Sequence, residues 1–525
     1  MRDAQVMIVG AGPVGLGLAI ELGQNGVSTL LLERNLSLSP IPKGQNLTQR
    51  TLEHFHFWKA EAALRAAQTI PASYGIGGVT AYGTLLSGIH YDWLQRDRVD
   101  AYYYRSNGRL PQYATERVLR ERVAELPSVT LLDGWTAQSI EQDASGGRVT
   151  ATEAGAETLR TFAADFLVGC DGSHSLVRRA AGLTQTLDDH GRKMALVLFR
   201  SEALHALLGR FPGKSYYNVL NPALEGYWQF FGRVDLEGRF FFHAPVPPEA
   251  GTDAFDFTAM LQEAIGADCA LEIDYAGFWD LRFAIADSYR KERVFICGDA
   301  AHSHPPYGGF GVNSGFEDAR NLGWKLAAHC AGWAGDALLD SYDAERRPVF
   351  ASTAHDFIAA LIERDRQFLA EYAPDRDGDA FARAWTERAT GAKQEVDQFE
   401  PHYSGSPVVM GPADGVSSAM GAHRHEARAG HHLTPETLTS GRSSYELLGK
   451  GFTLFTRDRD YACLWLAAAE ALGVPLEAVV DAPPPYGQAH ILVRPDQFIA
   501  WCSDELAVPD AVLRRAIGAR DQSPS

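Results

Sequence analysis

Three glycines near the N-terminus, spaced as G-x-G-x-x-G, could bring a backbone turn close to a phosphate group. They lie between an apolar run at residues 5–9, which favours a buried strand, and a helix-like apolar run at residues 14–23. A second strand-like run ends at Glu33, where an acid can accept hydrogen bonds from a ribose. This order is that of a dinucleotide-binding βαβ unit, with the pyrophosphate at the helix N-terminus. The predicted contacts are Gly10, Gly12, Pro13, Gly15, Glu33 and Arg34.

Two further motifs that pair an acid with a glycine each follow a short apolar run. The first is Asp171-Gly172 and the second is Gly298-Asp299. A strand ending at Asp299 would deliver its carboxylate to the sheet edge where open α/β folds bind ligands. The loop at residues 304–313 is rich in glycine and proline, so its backbone could pass close to a flat ring. The helix-like run after it would direct its positive N-terminal dipole at the same ring.

In this order and at this spacing, the three motifs resemble those of the group A flavoprotein monooxygenases, the aromatic hydroxylases of the para-hydroxybenzoate hydroxylase type. The resemblance extends over roughly the first two-thirds of the chain. It implies FAD as the bound cofactor and NAD(P)H as a co-substrate, with the ADP half on the first motif and the ribitol on the third. Arg50, which begins an Arg-Thr-Leu-Glu segment, also matches a helix of the family. The further FAD contacts implied are Gln112, Asp171, Gly172, Gly298, Asp299, Pro306, Gly309, Gly311, Val312 and Asn313.

The resemblance implies an α/β fold with three parts: an FAD-binding Rossmann-like domain, an inserted antiparallel-sheet substrate domain and a C-terminal thioredoxin-like α/β domain. Aromatic residues and turn signals favour strands in the inserted part. Because the C-terminal part has no Cys-x-x-Cys pair, we expect a structural or oligomer-forming role for it. The predicted bounds are 1–79, 108–184 and 285–352 for the FAD-binding domain, 80–107 and 185–284 for the substrate domain, 353–403 for a helical linker and 404–525 for the thioredoxin-like domain.

The reaction that the resemblance implies is hydroxylation of a phenolic or other aromatic substrate with NAD(P)H and O2 through a flavin C4a-hydroperoxide. A phenolic substrate would need its hydroxyl polarised by a tyrosine or histidine. Tyr217 and His243 are the candidate catalytic residues because both fall on predicted strands of the aromatic sheet. An ordinary core position is the alternative for each of them. His302 and His304 flank the third motif and are expected to support the site structurally.

Other functions of the same fold stay open at this point. A flavin-dependent oxidase or dehydrogenase would use the same cofactor without inserting oxygen into a substrate. A binding protein could keep the FAD fold as a scaffold without catalysis. A flavin halogenase is disfavoured because the Trp-x-Trp-x-Ile-Pro motif is absent. The sequence also lacks the second nucleotide fingerprint of Baeyer–Villiger enzymes and the cysteine pair of disulfide reductases.

Composition places the chain among globular proteins, with 46% hydrophobic and 22% charged residues. No apolar run approaches the ~20 residues of a membrane span. The net charge of −18 disfavours nucleic acid or an anionic membrane as a partner. Six scattered cysteines predict reduced thiols in a cytoplasmic protein and no metal site. The expected partners are the aromatic substrate, NAD(P)H and O2, and the sequence permits a homodimer.

Overall fold

The computed structural model describes residues 2–74, 77–156, 158–251 and 255–519, except the side chains of residues 189–192, and the predicted domain ranges extend beyond these limits. Its strands are β1 (Ala4–Val9), β2 (Thr29–Glu33), β3 (Asn46–Leu47), β4 (Gly78–Tyr82), β5 (His90–Trp93), β6 (Gly108–Arg109), β7 (Val129–Asp133), β8 (Trp135–Asp143), β9 (Gly146–Glu153), β10 (Leu159–Gly169), β11 (Gln185–Arg200), β12 (Tyr216–Leu220), β13 (Trp228–Arg233), β14 (Arg239–Val246), β15 (Glu272–Ala286), β16 (Arg290–Lys291), β17 (Val294–Ile296), β18 (His302–Ser303), β19 (Phe399–His402), β20 (Ser418–Met420), β21 (Phe452–Thr456), β22 (Leu476–Val480), β23 (His490–Val493) and β24 (Ile499–Ser503). Its α-helices are α1 (Pro13–Gln24), α2 (Gln49–Phe57), α3 (Glu61–Ala66), α4 (Gln112–Ala124), α5 (Leu176–Ala180), α6 (Glu202–Leu207), α7 (Phe257–Ile265), α8 (Gly311–Cys330), α9 (Asp336–Ser352), α10 (Ala360–Glu371), α11 (Gly378–Gln398), α12 (Arg459–Leu472) and α13 (Pro509–Ala516).

The first sheet carries the predicted nucleotide motif on a central strand. Its strand order is β16-β17-β10-β1-β2-β7, and β17, β10, β1, β2 and β7 run parallel. β1 is apolar and almost wholly buried, as expected for a parallel strand with both faces covered. Helices α1 and α8 pack against each other and contribute to the core that covers this sheet. The carboxyl ends of β1, β10 and β17 therefore meet at one edge, and each is followed by one of the three motifs.

The second sheet has eight strands in the order β18-β15-β11-β14-β13-β12-β4-β5. Neighbouring strands are antiparallel except β4 and β12, which are parallel. As predicted, the segment before residue 107 contributes strands, β4 and β5, to the same sheet as the later aromatic segment. Alternation along β12 separates Tyr216, which clusters with Trp228 and Phe241, from Tyr217, which clusters with Phe231 and Phe242. The two faces of this sheet therefore carry two different apolar cores.

Helices connect the sheets to the C-terminal part of the chain. α9 continues through a π-helical segment, Thr353–Ala359, into α10, and α11 packs against β5. The predicted helical character of this stretch agrees with these elements. No helix within the described ranges is long and apolar enough to cross a membrane.

The C-terminal part is built on a four-stranded sheet in the order β22-β21-β23-β24, with β21 parallel to β22 and antiparallel to β23. Helix α12 begins at Arg459, five residues before the start expected from its apolar residues. The reason is the Asp458 side chain, which accepts hydrogen bonds from the backbone N–H groups of Asp460 and Tyr461 and caps the helix. Trp324 of α8 belongs to the apolar core of this sheet, so the C-terminal part packs directly on the first domain.

Candidate active site

The turn between β1 and α1 needs its three glycines for different reasons. Gly10 has a φ of +103°, and a Cβ there would lie 2.3 Å from the carbonyl oxygen of Cys170. A Cβ on Gly15 would lie 2.0 Å from the carbonyl oxygen of Gly10, so only glycine lets α1 pack this closely on the turn. The Cβ position of Gly12, in contrast, has no atom within 4 Å. Its backbone faces open space at the helix N-terminus, where a phosphate anion would be stabilised.

Glu33 ends β2 beside this turn, and its carboxylate is held by three donors. Oε2 accepts from the backbone N–H of Ala11 at 2.8 Å, and Oε1 accepts from the backbone and side-chain nitrogens of Asn35 at 2.9 and 2.6 Å. Oε2, which accepts only one hydrogen bond, keeps a lone pair that could accept a ribose hydroxyl. Glu33 and Arg34 line an open cavity of about 570 Å³ together with the glycine turn. This space, which we call the nucleotide cavity, brings together most of the contacts predicted for the first motif.

The second motif presents its backbone, because the Asp171 carboxylate is already engaged within the protein. Oδ1 accepts from the Ser175 hydroxyl at 2.5 Å, and Oδ2 accepts from the backbone N–H groups of Leu176 at 2.6 Å and Val177 at 3.1 Å. These contacts cap the N-terminus of α5. Gly172 has a φ of +81°, and its Cβ position has no atom within 4 Å. Asp171 therefore fixes the turn, and Gly172 offers the open backbone.

A buried ion-pair cluster supports the third motif. Asp318 of α8 accepts from the Gly298 N–H at 3.1 Å and from Arg346 Nε at 2.7 Å, and it lies 2.6 Å from His302 Nε2. Burial opposes ionisation of Asp318, yet His302 and Arg346 lower its pKa below the ordinary value. His302 thus has a structural position. Asp299 is exposed to the cavity in front of the loop at residues 304–313, and desolvation by the surrounding protein raises the pKa of its carboxyl.

The side chain of Asn313 holds the loop that precedes α8 in place through hydrogen bonds. Its Nδ2 donates to the carbonyl oxygens of Gly309 at 2.6 Å and Asn46 at 2.9 Å. Its Oδ1 accepts from the Thr48 N–H at 2.9 Å and the Thr51 hydroxyl at 2.6 Å. The structure places Asn313 behind the loop, away from the cavity wall where a cofactor contact was predicted. Its four hydrogen bonds hold in place the backbone that a ring would face.

A second cavity, of about 390 Å³, lies between this loop and the aromatic sheet, and we call it the ring cavity. The first residues of α8 form part of its wall, so the positive end of that helix faces the space. Among the predicted cofactor residues, its wall contains Gly12, Pro13, Gln112, Gly172, Asp299, Pro306, Gly309, Gly311 and Val312. The sheet side contributes Trp93, Leu94, Tyr216, Phe230, Phe241 and His243. Gly15 and Gly298 lie behind the walls and serve the packing of α1 and α8.

Besides Tyr216 Oη and His243 Nδ1 on the sheet side, three buried polar atoms at the ring cavity have no hydrogen-bond partner in the part of the chain that the structure describes. They are Gln45 Nε2, Asn46 Oδ1 and His304 Nε2. Buried polar groups are almost always paired in folded proteins, so these atoms indicate a ligand with donors and acceptors along its edge. Such a ring, joined to a pyrophosphate by way of the open glycines, is what FAD would supply. The residues present therefore fit FAD, with its ADP half in the nucleotide cavity and its ring in the ring cavity.

The two predicted catalytic residues lie on opposite faces of the sheet. His243 lines the ring cavity, and burial lowers its pKa to about 4, so its imidazole is neutral near pH 7. Tyr217 lies in the other core, where its hydroxyl donates to the Lys214 carbonyl at 2.8 Å and accepts from Arg233 Nε at 3.0 Å. The sheet separates Tyr217 from the cavity, and the structure does not bring it to the site. Its neighbour Tyr216 lies in the cavity wall.

Several residues of the site carry no motif that sequence reasoning could have used. Gln45 and Asn46 enter the ring cavity at a short strand whose partner, β6, is distant in the chain, and Trp93 enters it from the end of β5. Arg50, which the family resemblance highlighted, does not line either cavity. It donates from Nε to Glu317 Oε2 at 3.0 Å and joins α2 to α8.

The fold, the glycine turn and the ring cavity together define an FAD-binding enzyme of the α/β class, and comparison with known proteins gives its family. Residues 3–356 match the family described as "FAD binding domain". The chain is 31% identical to 4-methyl-5-nitrocatechol 5-monooxygenase from Burkholderia sp, over 98% of this chain and 97% of that protein. It is 32% identical to a putative polyketide hydroxylase from Streptomyces halstedii, over 95% of this chain and 93% of that protein.

Solved structures agree with this result. The structure of the rebeccamycin biosynthetic enzyme with reduced flavin matches with a TM-score of 0.84 and 29% identity, over 99% of this chain and 100% of that one. The chain belongs to the group A flavoprotein monooxygenases. It is an FAD-dependent oxidoreductase of the monooxygenase type, and the predictions of cofactor, enzyme class and mixed α/β fold are confirmed. The relatives do not support the alternative of an oxidase or dehydrogenase.

Proposed function

We propose that this enzyme hydroxylates a phenolic ring of a polycyclic aromatic substrate, with NAD(P)H as the reductant and O2 as the oxygen source. The observation that carries the proposal is the ring cavity, in which an aromatic sheet faces a glycine-rich loop and a helix N-terminus across a single space. Its sheet side is dominated by large rings, which suit a flat substrate. A relative named as a polyketide hydroxylase supports hydroxylation of a polyketide-type substrate.

The protein's own part in the reaction is to position the substrate, to exclude water and to accept a hydrogen bond from the substrate hydroxyl. Bound FAD would supply the redox chemistry and activate O2. Trp93, Phe230 and Phe241 close the sheet side with apolar surface, which limits the access of water. The N-terminus of α8 would stabilise negative charge on a flavin ring bound against it.

His243 is the residue we assign to the substrate hydroxyl. It is 7% exposed, lines the ring cavity, and its Nδ1 has no hydrogen-bond partner among the described residues. Because burial lowers its pKa to about 4, the imidazole is neutral at pH 7 and can accept a hydrogen bond from the substrate hydroxyl. A phenolic O–H polarised in this way raises the electron density of the ring, and hydroxylation needs that density.

The test uses the FAD-loaded enzyme, a panel of one-ring to four-ring phenols, and O2 labelled with ¹⁸O. We expect a polycyclic phenol to stimulate NAD(P)H oxidation and to gain the label in the product. His243→Ala should lower product formation about 100-fold, as loss of an acid–base group does, while NAD(P)H oxidation continues and hydrogen peroxide accumulates. Tyr217→Phe is the matched control and should keep its coupling. Stimulated NAD(P)H oxidation without label in any product would contradict the proposal.

We also propose a thioredoxin-like origin for the C-terminal part, a cytoplasmic location and a homodimer. The thioredoxin-like origin is supported by the order of the elements, in which a parallel β-α-β unit is followed by an antiparallel strand pair and a helix. The cytoplasmic location is supported by the six cysteines, all of which are free thiols, as is usual in a reducing compartment.

The homodimer is supported by an apolar contact surface on α12, where Leu464 and Leu466 are 60% and 41% exposed. Light scattering of the purified enzyme tests the dimer, and a monomer at all concentrations would contradict it.

A further inference from the structure

A polar chamber lies beside the ring cavity, and Trp93 contributes to both. Its volume is about 340 Å³, and it is bounded by β4, β5 and β12 of the second sheet and by helices α10 and α11. Trp93 forms part of the wall of both spaces. The ring of Trp93 packs edge-on against Trp228, with 5.6 Å between ring centroids. Two neighbouring spaces of similar volume therefore have one aromatic lining residue in common.

A row of paired residues leads across the sheet from the ring cavity to the polar chamber. His243 pairs with Phe230, Phe230 with Asn218, and Asn218 with Thr80. Directly paired residues point to the same face of a sheet. His243 and Phe230 line the ring cavity, whereas Asn218 and Thr80 line the chamber. With neighbouring strands about 4.8 Å apart, Asn218 lies about 10 Å and Thr80 about 14 Å from His243.

Asn218 brings an unpaired polar atom to the wall of the chamber. Its side chain is 2% exposed and lines the chamber, and its amide oxygen has no hydrogen-bond partner in the described ranges. An unpaired buried acceptor is rare in native proteins and calls for a donor from outside the chain. Because Asn218 lines the chamber, a ligand bound there could supply this donor.

The charged side chains of the chamber indicate what kind of donor it accepts. Asp365 accepts from Trp228 Nε1 at 2.5 Å and pairs with Arg388, and Glu395 pairs with Arg364 at 2.6 Å. The wall holds four carboxylates and two guanidinium groups, so its balance is negative. The acids are Asp365, Glu371, Glu387 and Glu395, and the bases are Arg364 and Arg388. An anionic group is disfavoured in the chamber, whereas hydroxyl and amine groups can donate to the Asn218 amide oxygen and to the carboxylates of the wall.

We propose that the chamber is a second substrate subsite, which binds a hydroxyl- or amine-bearing extension of a polycyclic aromatic whose reacting ring occupies the ring cavity. The inference rests on the proposed function. A one-ring phenol is too short to engage His243 and Asn218 together, whereas a scaffold of three or four rings with a polar substituent spans the distance. The chamber would therefore select extended substrates over truncated ones.

Gly391 allows the chamber to be filled without disturbing the fold. It lies on α11 and lines the chamber, and its Cβ position has no atom within 4 Å. A leucine there would extend into the chamber, and the helix would gain a residue with a better helix propensity than glycine. Gly378 begins the same helix, is exposed and also has no atom within 4 Å of its Cβ position. Gly378→Leu is therefore the matched control.

Binding is measured without turnover, on FAD-loaded enzyme under anaerobic conditions and in the absence of NAD(P)H. The probes are three tetracyclic phenols that differ only at the far ring, which bears a hydroxyalkyl group, an aminoalkyl group or hydrogen. We expect the wild type to bind at least one extended probe about tenfold more tightly than the truncated one. Gly391→Leu and Asn218→Ala should reduce this preference to less than about threefold and leave the truncated probe within about twofold. Gly378→Leu should behave as the wild type does.

Equal affinities of the wild type for all three probes would overturn the subsite, and so would a full preference kept by Gly391→Leu. The proposed function fails separately, because it depends on labelled oxygen in the product and not on this preference. An enzyme that hydroxylates extended and truncated probes but binds them equally would keep the function and lose the subsite.

Discussion

His243 and His304, which line the ring cavity, are buried and neutral, so the stability of the folded enzyme falls as the pH is lowered. Burial lowers the pKa of His243 and of His304 to about 4 from an ordinary 6.5. The unfolded chain therefore takes up these protons below about pH 6.5, while the folded chain resists them until about pH 4. Their contribution to stability is present above pH 6.5 and is lost as the pH falls towards 4.

This behaviour gives a prediction at the scale of single residues. Each histidine should lower the free energy of unfolding by about 1.4 kcal/mol per pH unit within that window. In His304→Gln one of the two contributions is removed, so its melting temperature should fall less steeply between pH 7 and 5 than that of the wild type. Thermal unfolding at four or five pH values measures the two slopes. Parallel slopes would show that His304 is already protonated in the folded enzyme.

At the scale of elements, the loop and the start of α8 depend on one side chain. Asn313 makes four hydrogen bonds that tie the loop to α2 and to β3. Asn313→Ala should cost about 2–4 kcal/mol of local stability, at roughly 1 kcal/mol for each lost bond. Because this loop faces the ring cavity, we expect FAD affinity to fall by at least tenfold, as measured by the recovery of flavin fluorescence on release.

Asn25→Ala is the control for that prediction. Asn25 ends α1 and donates to the Glu21 carbonyl at 2.8 Å, away from both cavities. Its replacement should lower the melting temperature slightly and leave FAD affinity unchanged. Equal loss of FAD in the two variants would mean that the loop is held by other contacts.

The same scale shows what could be predicted from the sequence. The glycine turn is local, since strand, turn, helix and acid lie within 33 residues, so its spacing alone predicted the geometry of Gly10, Gly12 and Gly15. The choice between Tyr216 and Tyr217 depends on which face of β12 meets the cavity. That is decided by the parallel pairing with β4, whose residues are distant in the chain. Local patterns carry no information about such a pairing, so the prediction of Tyr217 rests only on its position in a predicted strand of the aromatic sheet.

At the scale of the whole molecule, the C-terminal part is fastened to the FAD-binding part by buried charges. Arg494 donates to both oxygens of Glu345 on α9, at 2.6 and 2.9 Å, and to Asp496 at 2.5 Å. Trp324 of α8 donates to the same Asp496 at 3.0 Å. These groups are fully buried, so removing one charge leaves the others without compensation.

Arg494→Met should therefore destabilise the enzyme by about 3–5 kcal/mol. Because the network joins the two parts, we expect flavin release and loss of secondary structure to move together to a lower temperature. Arg442→Met is the control, since Arg442 pairs with Glu446 on the exposed surface and should matter by less than about 0.5 kcal/mol. Flavin release that stays at the wild-type temperature would show that the two parts unfold independently.

The nucleotide cavity and the ring cavity meet at a shared neck. Five residues line both spaces: Gly12, Lys43, Gln112, Cys170 and Gly172. A ligand anchored by its ADP half holds its ring next to the second space at an effective concentration in the millimolar range or above. The ring cavity therefore does not need to bind the ring tightly by itself. The residues that line the ring cavity can therefore serve reactivity and the fit of the substrate. The nucleotide cavity supplies most of the affinity for FAD.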